Sequence, residues 1–270
     1  MWRDWLGNFA LQFVFFIGLI SVLGLFIWRL NKTLLRLLGG KLGRNIFLVT
    51  GIAGTPIHEF GHVFFCIIFG HKVKQVKWFS PNFQDGTLGY VLHVYNKKNI
   101  YHQIGNFFIG LGPLLFGSAV IVGLMYIFLP NASQVSFGGS ASVAGYWETL
   151  RSVILAIFDL KNFANILWWI FIILAGSVAL HMDLSIADIK ASARGLVYIT
   201  AFLLFFNLIL CIIDVSWSQA VTAGCLWLSV SAVSFMAIAV ILLCMFVAIT
   251  SLVRWIINKI FRRRSIDVAS

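Results

Sequence analysis

Six apolar windows, each close to the roughly 20 residues that a helix needs to cross the hydrocarbon layer of a bilayer, leave this chain few ways to fold. They lie at residues 9–30, 45–70, 105–129, 165–182, 195–213 and 226–252. Backbone in hydrocarbon must satisfy its own hydrogen bonds, so each window predicts a transmembrane helix. Apolar residues make up 60% of the chain and charged residues 11%, whereas soluble domains run near a quarter charged. The expectation is an all-α polytopic membrane protein of about six transmembrane helices, one domain over residues 1–270 with its core at 45–190. The first window runs straight into Arg29, Lys32 and Arg36 with no small-residue cleavage site, so it is expected to stay as a helix rather than leave as a signal peptide.

The net charge of +11 would suit nucleic acid if it were gathered on a soluble face. Here the basic residues flank the apolar windows, which fits lipid headgroups and topology and excludes nucleic acid as the expected partner. With six spans both termini share one side. That side collects thirteen of the basic residues, the other seven, and the positive-inside rule then places both termini in the cytoplasm.

Two segments outside the windows have their own pattern. Residues 73–79 and 87–95 are rich in β-branched and aromatic residues and are separated by Ser80-Pro81-Asn82-Phe83-Gln84-Asp85-Gly86, a strong turn signal. A short β-hairpin after the second span is predicted, with edges that could accept an extended peptide by strand addition. Residues 131–142 are rich in Ser and Gly and are expected to be mobile. Beyond them Trp147, Leu150, Ile154, Ile157 and Phe158 recur at helical spacing opposite Glu148, Arg151 and Ser152, predicting an amphipathic helix lying in the membrane interface.

The second window contains His58-Glu59-Phe60-Gly61-His62. Positions i and i+4 share one helix face, so His58 and His62 can offer two imidazole nitrogens to one metal ion, with Glu59 beside them to take a proton from an activated water. The chain has six His and two Glu, and random placement would give this pattern in roughly one such chain in a thousand. Ionisable groups in hydrocarbon are expensive and are expected to be paired, metal-bound or functional. Glycines 51, 54 and 61 in the same window would let another helix or an unwound substrate come close, and Pro56 would kink the helix.

A catalytic zinc site takes three protein ligands and keeps one position open. The fourth window runs in the same direction as the second and ends in His181-Met182-Asp183-Leu184-Ser185-Ile186-Ala187-Asp188, so Asp188, Asp183 and His181 are candidates for the third ligand. Neutral His58 and His62 with anionic Asp188 and Glu59 would balance one Zn2+ to about zero net charge. Ser185-x-x-Asp188 also matches a helix capping box, which gives Asp188 a purely structural alternative. His71, His93 and His102 read as surface or interfacial histidines. Cys66, Cys211, Cys225 and Cys244 show no short metal-type spacing and read as small buried hydrophobes.

His-Glu-x-Gly-His within an apolar helix, a hairpin after it, Gly112-Pro113 in the next window and an acidic segment closing the fourth resemble the site-2 protease family of intramembrane zinc metalloproteases. The layout is similar over residues 45–190. The chain departs from the family in lacking its Asn-Pro…Asp-Gly signature, since Asp188 is followed by Ile189. The resemblance implies a compact, divergent bacterial-type branch in the cell membrane, without a PDZ-like domain. It implies a zinc-dependent endopeptidase holding one Zn2+ through His58, His62 and Asp188, with Glu59 as catalytic base and a membrane-embedded or juxtamembrane peptide as substrate. The alternative from another class is a non-catalytic metal-binding scaffold or transporter subunit. Against it, intramembrane charges are confined to the motif and the 183–188 segment that closes the fourth window, whereas a transport path needs polar groups along several spans.

Overall fold

Residues that cannot leave backbone groups unpaired in hydrocarbon have helix as their cheapest option, and all six windows fall on helix. The computed structural model describes residues 2–82, 87–135, 137 and 143–267. Helix α1 (Trp2–Leu11) passes through a π-helical segment (Gln12–Gly18) into α2 (Leu19–Leu38). Gly39, at φ 75°, breaks the chain before α3 (Gly40–Ile68). Strands β1 (Lys72–Lys77) and β2 (Tyr90–Val94) follow, then α4 (Ile100–Phe128), α5 (Val143–Phe158), α6 (Ile166–Leu180), α7 (Ile186–Ile213) and α8 (Val215–Asp267).

Among the described residues four helical stretches are long and apolar enough to cross a membrane: Trp2–Leu38, Ile100–Phe128, Ile186–Ile213 and Val215–Ile260. The expected count was about six, and the two others fall short for different reasons. Helix α3 has 29 residues but carries Lys41, Arg44, His58, Glu59 and His62, while α6 is apolar throughout but only 15 residues long. Helix α4 is the hub: 61% of its apolar window is buried, against 28–33% for the other three. It packs against α3, α6, α7 and α8.

The hairpin forms with the expected composition and shorter strands. β1 and β2 are antiparallel, with Val73 opposite His93 and Lys77 opposite Tyr90, and an irregularity between Val73 and Gln75. The middle of the expected turn, residues 83–86, lies outside the described residues, as do 136 and 138–142 of the 131–142 segment. Helix α5 is present, with one buried and one exposed face. Thr149, Val153, Ala156 and Ile157 turn inward, whereas Trp147, Ile154 and Leu155 stay exposed.

The π-helical segment is a polar lock. Gln12 is fully buried; its Nε2 donates to Asn207 Oδ1 (3.1 Å) and Thr222 Oγ1 (2.8 Å), and Asn207 Nδ2 donates back to Gln12 Oε1 (2.7 Å). Ser218 Oγ donates to Asn207 Oδ1, and Asn8 Nδ2 to Ser218 Oγ, both at 2.9 Å. One closed network thus ties α1, α7 and α8. Gln12→Leu or Asn207→Leu should each lower stability by roughly 1 kcal/mol. The double substitution should cost less than the sum, because each removes the partner the other orphans. Thermal unfolding of the detergent-solubilised chain measures both.

Candidate metal centre and cleft

The motif places His58 and His62 one helical turn apart on α3, with ring centroids 5.0 Å apart. What aims them is backbone that two other helices cannot satisfy themselves. His181 is the C-cap residue of α6, and carbonyls at a helix end lack the next turn's donors. His58 Nδ1–H donates to the His181 carbonyl at 2.6 Å. In α4, Pro113 has no N–H, which deprives the carbonyl four residues earlier of its regular donor. That carbonyl belongs to Ile109, and His62 Nδ1–H donates to it at 2.8 Å. Both imidazoles are thereby held with the proton on Nδ1 and the Nε2 lone pair free, the arrangement that backbone acceptors impose on metal-ligating histidines.

Asp188 meets this pair from the start of α7. Its Oδ1 lies 3.4 Å from His62 Nε2, and zinc-ligand bonds of about 2.0–2.1 Å at a tetrahedral angle put neighbouring donors roughly 3.3–3.4 Å apart. His58, His62 and Asp188 each bring a donor atom within 4.8 Å of the others, a group that could hold a metal ion. The capping alternative is also present: Ser185 N–H donates to Asp188 Oδ2 (2.9 Å) and Asp188 N–H to Ser185 Oγ (3.1 Å). The two roles use different carboxylate oxygens, so the cap orients Oδ1 instead of competing for it.

The other two candidates for third donor stand elsewhere. The His181 ring stacks on Phe47, with centroids 4.5 Å apart, and its nitrogens lie by the Ser177 and Phe47 carbonyls. Asp183 borders a neighbouring cavity, and its Oδ1 is buried without a hydrogen-bond partner. The motif glycines admit the protein's own elements: a Cβ at Gly51 would meet Leu88 and Phe79, at Gly54 the Ser177 carbonyl of α6, at Gly61 the Gly112 carbonyl of α4. These positions are filled by packing, with no room left at them for a substrate helix.

A cleft of about 560 Å³ opens on the three donors, lined by α3, by β2 from Tyr90 to His93, by Asn106, Ile109 and Gly110 of α4, and by Ala191 and Arg194 of α7. Glu59 is 95% buried, borders this cleft, and also borders the second cavity of about 220 Å³ that contains Thr55, Leu88 and Asp183. Its carboxylate packs at Gly89, where a Cβ would come within 2.9 Å of Oε1.

A second group escaped sequence reasoning. Cys66, His71 and His93 also bring one donor atom each within 4.8 Å of one another and could hold a metal ion. His71 is buried and Cys66 fully so. Burial first, then His71 and His62, holds the His93 imidazole down at about 4 against the pull of Asp188, and burial likewise lowers His71. The available signal was the spacing His58, His62, Cys66, three donors at successive fourth positions on one helix face. No protein-family model, curated protein or solved structure matches this chain.

Proposed function

We propose that the chain is a zinc-dependent intramembrane endopeptidase, similar in its chemistry to the site-2 proteases, acting on membrane-embedded or juxtamembrane peptides. The observation that carries this reading is the paired Nδ1–H···O=C anchoring of His58 and His62, which leaves two Nε2 lone pairs converging with Asp188 Oδ1. Purely structural histidines would have no need for two helices to supply unsatisfied carbonyls at these two points.

Zinc, when bound, supplies Lewis-acid polarisation of the scissile carbonyl and of an attacking water. Glu59 accepts the water proton and hands it to the leaving amine. The Ser185 cap fixes the carboxylate of Asp188, and the Ile109 and His181 carbonyls fix the imidazoles. The β2 edge lines the cleft, where an extended substrate segment would pair with it by strand addition. In the membrane arrangement we propose, Trp2–Leu38, α3, α4, α6, α7 and α8 form six spans with both termini cytoplasmic, and the cleft opens toward that side.

Metal analysis of the purified full-length chain tests the donor set. His58→Ala and Asp188→Ala should each lose one ion per chain relative to wild type. Ser185→Ala should keep it while costing about 1 kcal/mol of stability, the usual worth of a helix cap. Full metal content in Asp188→Ala would remove Asp188 from the site. Unchanged content in His58→Ala would end the proposal.

A further inference from the structure

The group formed by Cys66, His71 and His93 stands on independent observations. Helix α3 ends in a Schellman turn: Gly70 takes φ 68°, its N–H donates to the Ile67 carbonyl (3.2 Å), and His71 N–H donates to the Cys66 carbonyl (2.8 Å). This turn folds His71 back over the last turn of the helix and so over Cys66. Antiparallel pairing of the hairpin then brings His93 across, one register position past the root of β1. His93 Nδ1–H donates to His71 Nδ1 at 3.0 Å, which places the two rings against one another.

The tautomer of His71 is set from outside the group. Its Nε2–H donates to the His102 carbonyl at 2.9 Å, which leaves Nδ1 as the lone-pair nitrogen. Tyr95 stacks on the ring at 4.6 Å and 16° and holds its plane. A buried thiol, an oriented imidazole and a second imidazole facing the same point make a soft-to-borderline donor set, suited to Zn2+ and its analogues and unsuited to Mg2+ or Ca2+.

We propose that Cys66, His71 and His93 form a second transition-metal site, which pins the root of the β-hairpin to the end of α3. Binding releases the Cys66 thiol proton and moves the His93 ring proton from Nδ1 to Nε2, and one thiolate with two neutral imidazoles leaves a divalent ion one position for water or an added ligand. His93 also lines the large cleft, so the pinned hairpin is a wall of that cleft. The site therefore holds the substrate-facing edge in place without supplying any reacting group.

Cobalt(II) titration of the full-length chain in detergent distinguishes this site from the other. A cobalt–thiolate bond gives a charge-transfer band in the near ultraviolet that the His58–His62–Asp188 set, having no sulfur, cannot give. The band is expected in wild type and in His58→Ala, and is expected to be lost in Cys66→Ser and in His93→Gln. Both of the latter should still bind one cobalt per chain at the first site, which also reports that they fold. Absence of the band in wild type at saturating cobalt would overturn the proposal. So would its persistence in Cys66→Ser, which would assign it to another cysteine, or in His93→Gln. Because His58→Ala retains the band, failure of the peptidase reading and failure of this one give different spectra.

Discussion

Glu59→Gln should leave metal content unchanged and slow single-turnover cleavage of a membrane peptide by about 10³-fold or more, within the range that a positioned general acid–base contributes. The substitution is nearly isosteric, so the side chain keeps its place against Gly89. It lies outside the His58–His62–Asp188 donor group, so the metal has no reason to leave. What changes is that an amide cannot accept the proton of the attacking water. The comparison needs a panel of single-span peptides in detergent, with a chelator to abolish wild-type cleavage, and metal analysis of both proteins. Cleavage by Glu59→Gln within tenfold of wild type would assign the base elsewhere. A metal-replete wild type that cleaves no peptide of the panel would favour the scaffold reading.

The helices were legible because their signal is simple: an unbroken apolar run of membrane-spanning length has one backbone solution. The hairpin was legible from the β-branched residues on either side of Ser80-Pro81-Asn82. Which face of α5 meets the protein is not legible, and the reason is physical. In a chain whose outer surface is as apolar as its interior, an apolar stripe does not say which way it faces, so periodicity alone does not separate exposed Trp147 and Ile154 from buried Val153 and Ile157. The motif pair could be read from i, i+4 spacing, and Asp188 was one of three candidates. The Ser185 cap was legible as a capping box, but that it turns Asp188 Oδ1 toward His62 depends on the α6–α7 turn, which no spacing rule contains. The anchoring carbonyls of Ile109 and His181 were invisible, since they are backbone atoms. Pro113, present in the sequence as half of a Gly-Pro pair, was the clue to the first of them. His71 and His93 read from sequence as surface or interfacial because the Schellman turn and the strand register that bring them to Cys66 are three-dimensional facts.

Gly61→Ala should destabilise the protein by about 1–3 kcal/mol and, by displacing the metal donors, lower cleavage by about 10²-fold. Helices α3 and α4 touch backbone to backbone here. A Cβ on Gly61 would sit 2.7 Å from the Gly112 carbonyl oxygen and 2.9 Å from Pro113 N, and one on Gly112 would sit 2.6 Å from the Gly61 oxygen. None of these atoms can rotate away as a side chain could, so the helix axes must separate. The separation falls on the site, because His62 follows Gly61 and its Nδ1 bond to Ile109 spans the same crossing. The control is on α4, the other helix of the crossing: a Cβ at Gly123 would meet nothing within 4 Å, so Gly123→Ala should be neutral or stabilise α4 by up to about 1 kcal/mol through helix propensity. Thermal unfolding and cleavage rates of the two variants separate the effects. Equal unfolding temperatures for both would mean that α3 and α4 are not in backbone contact, and the carbonyl of Ile109 could then not be what aims His62.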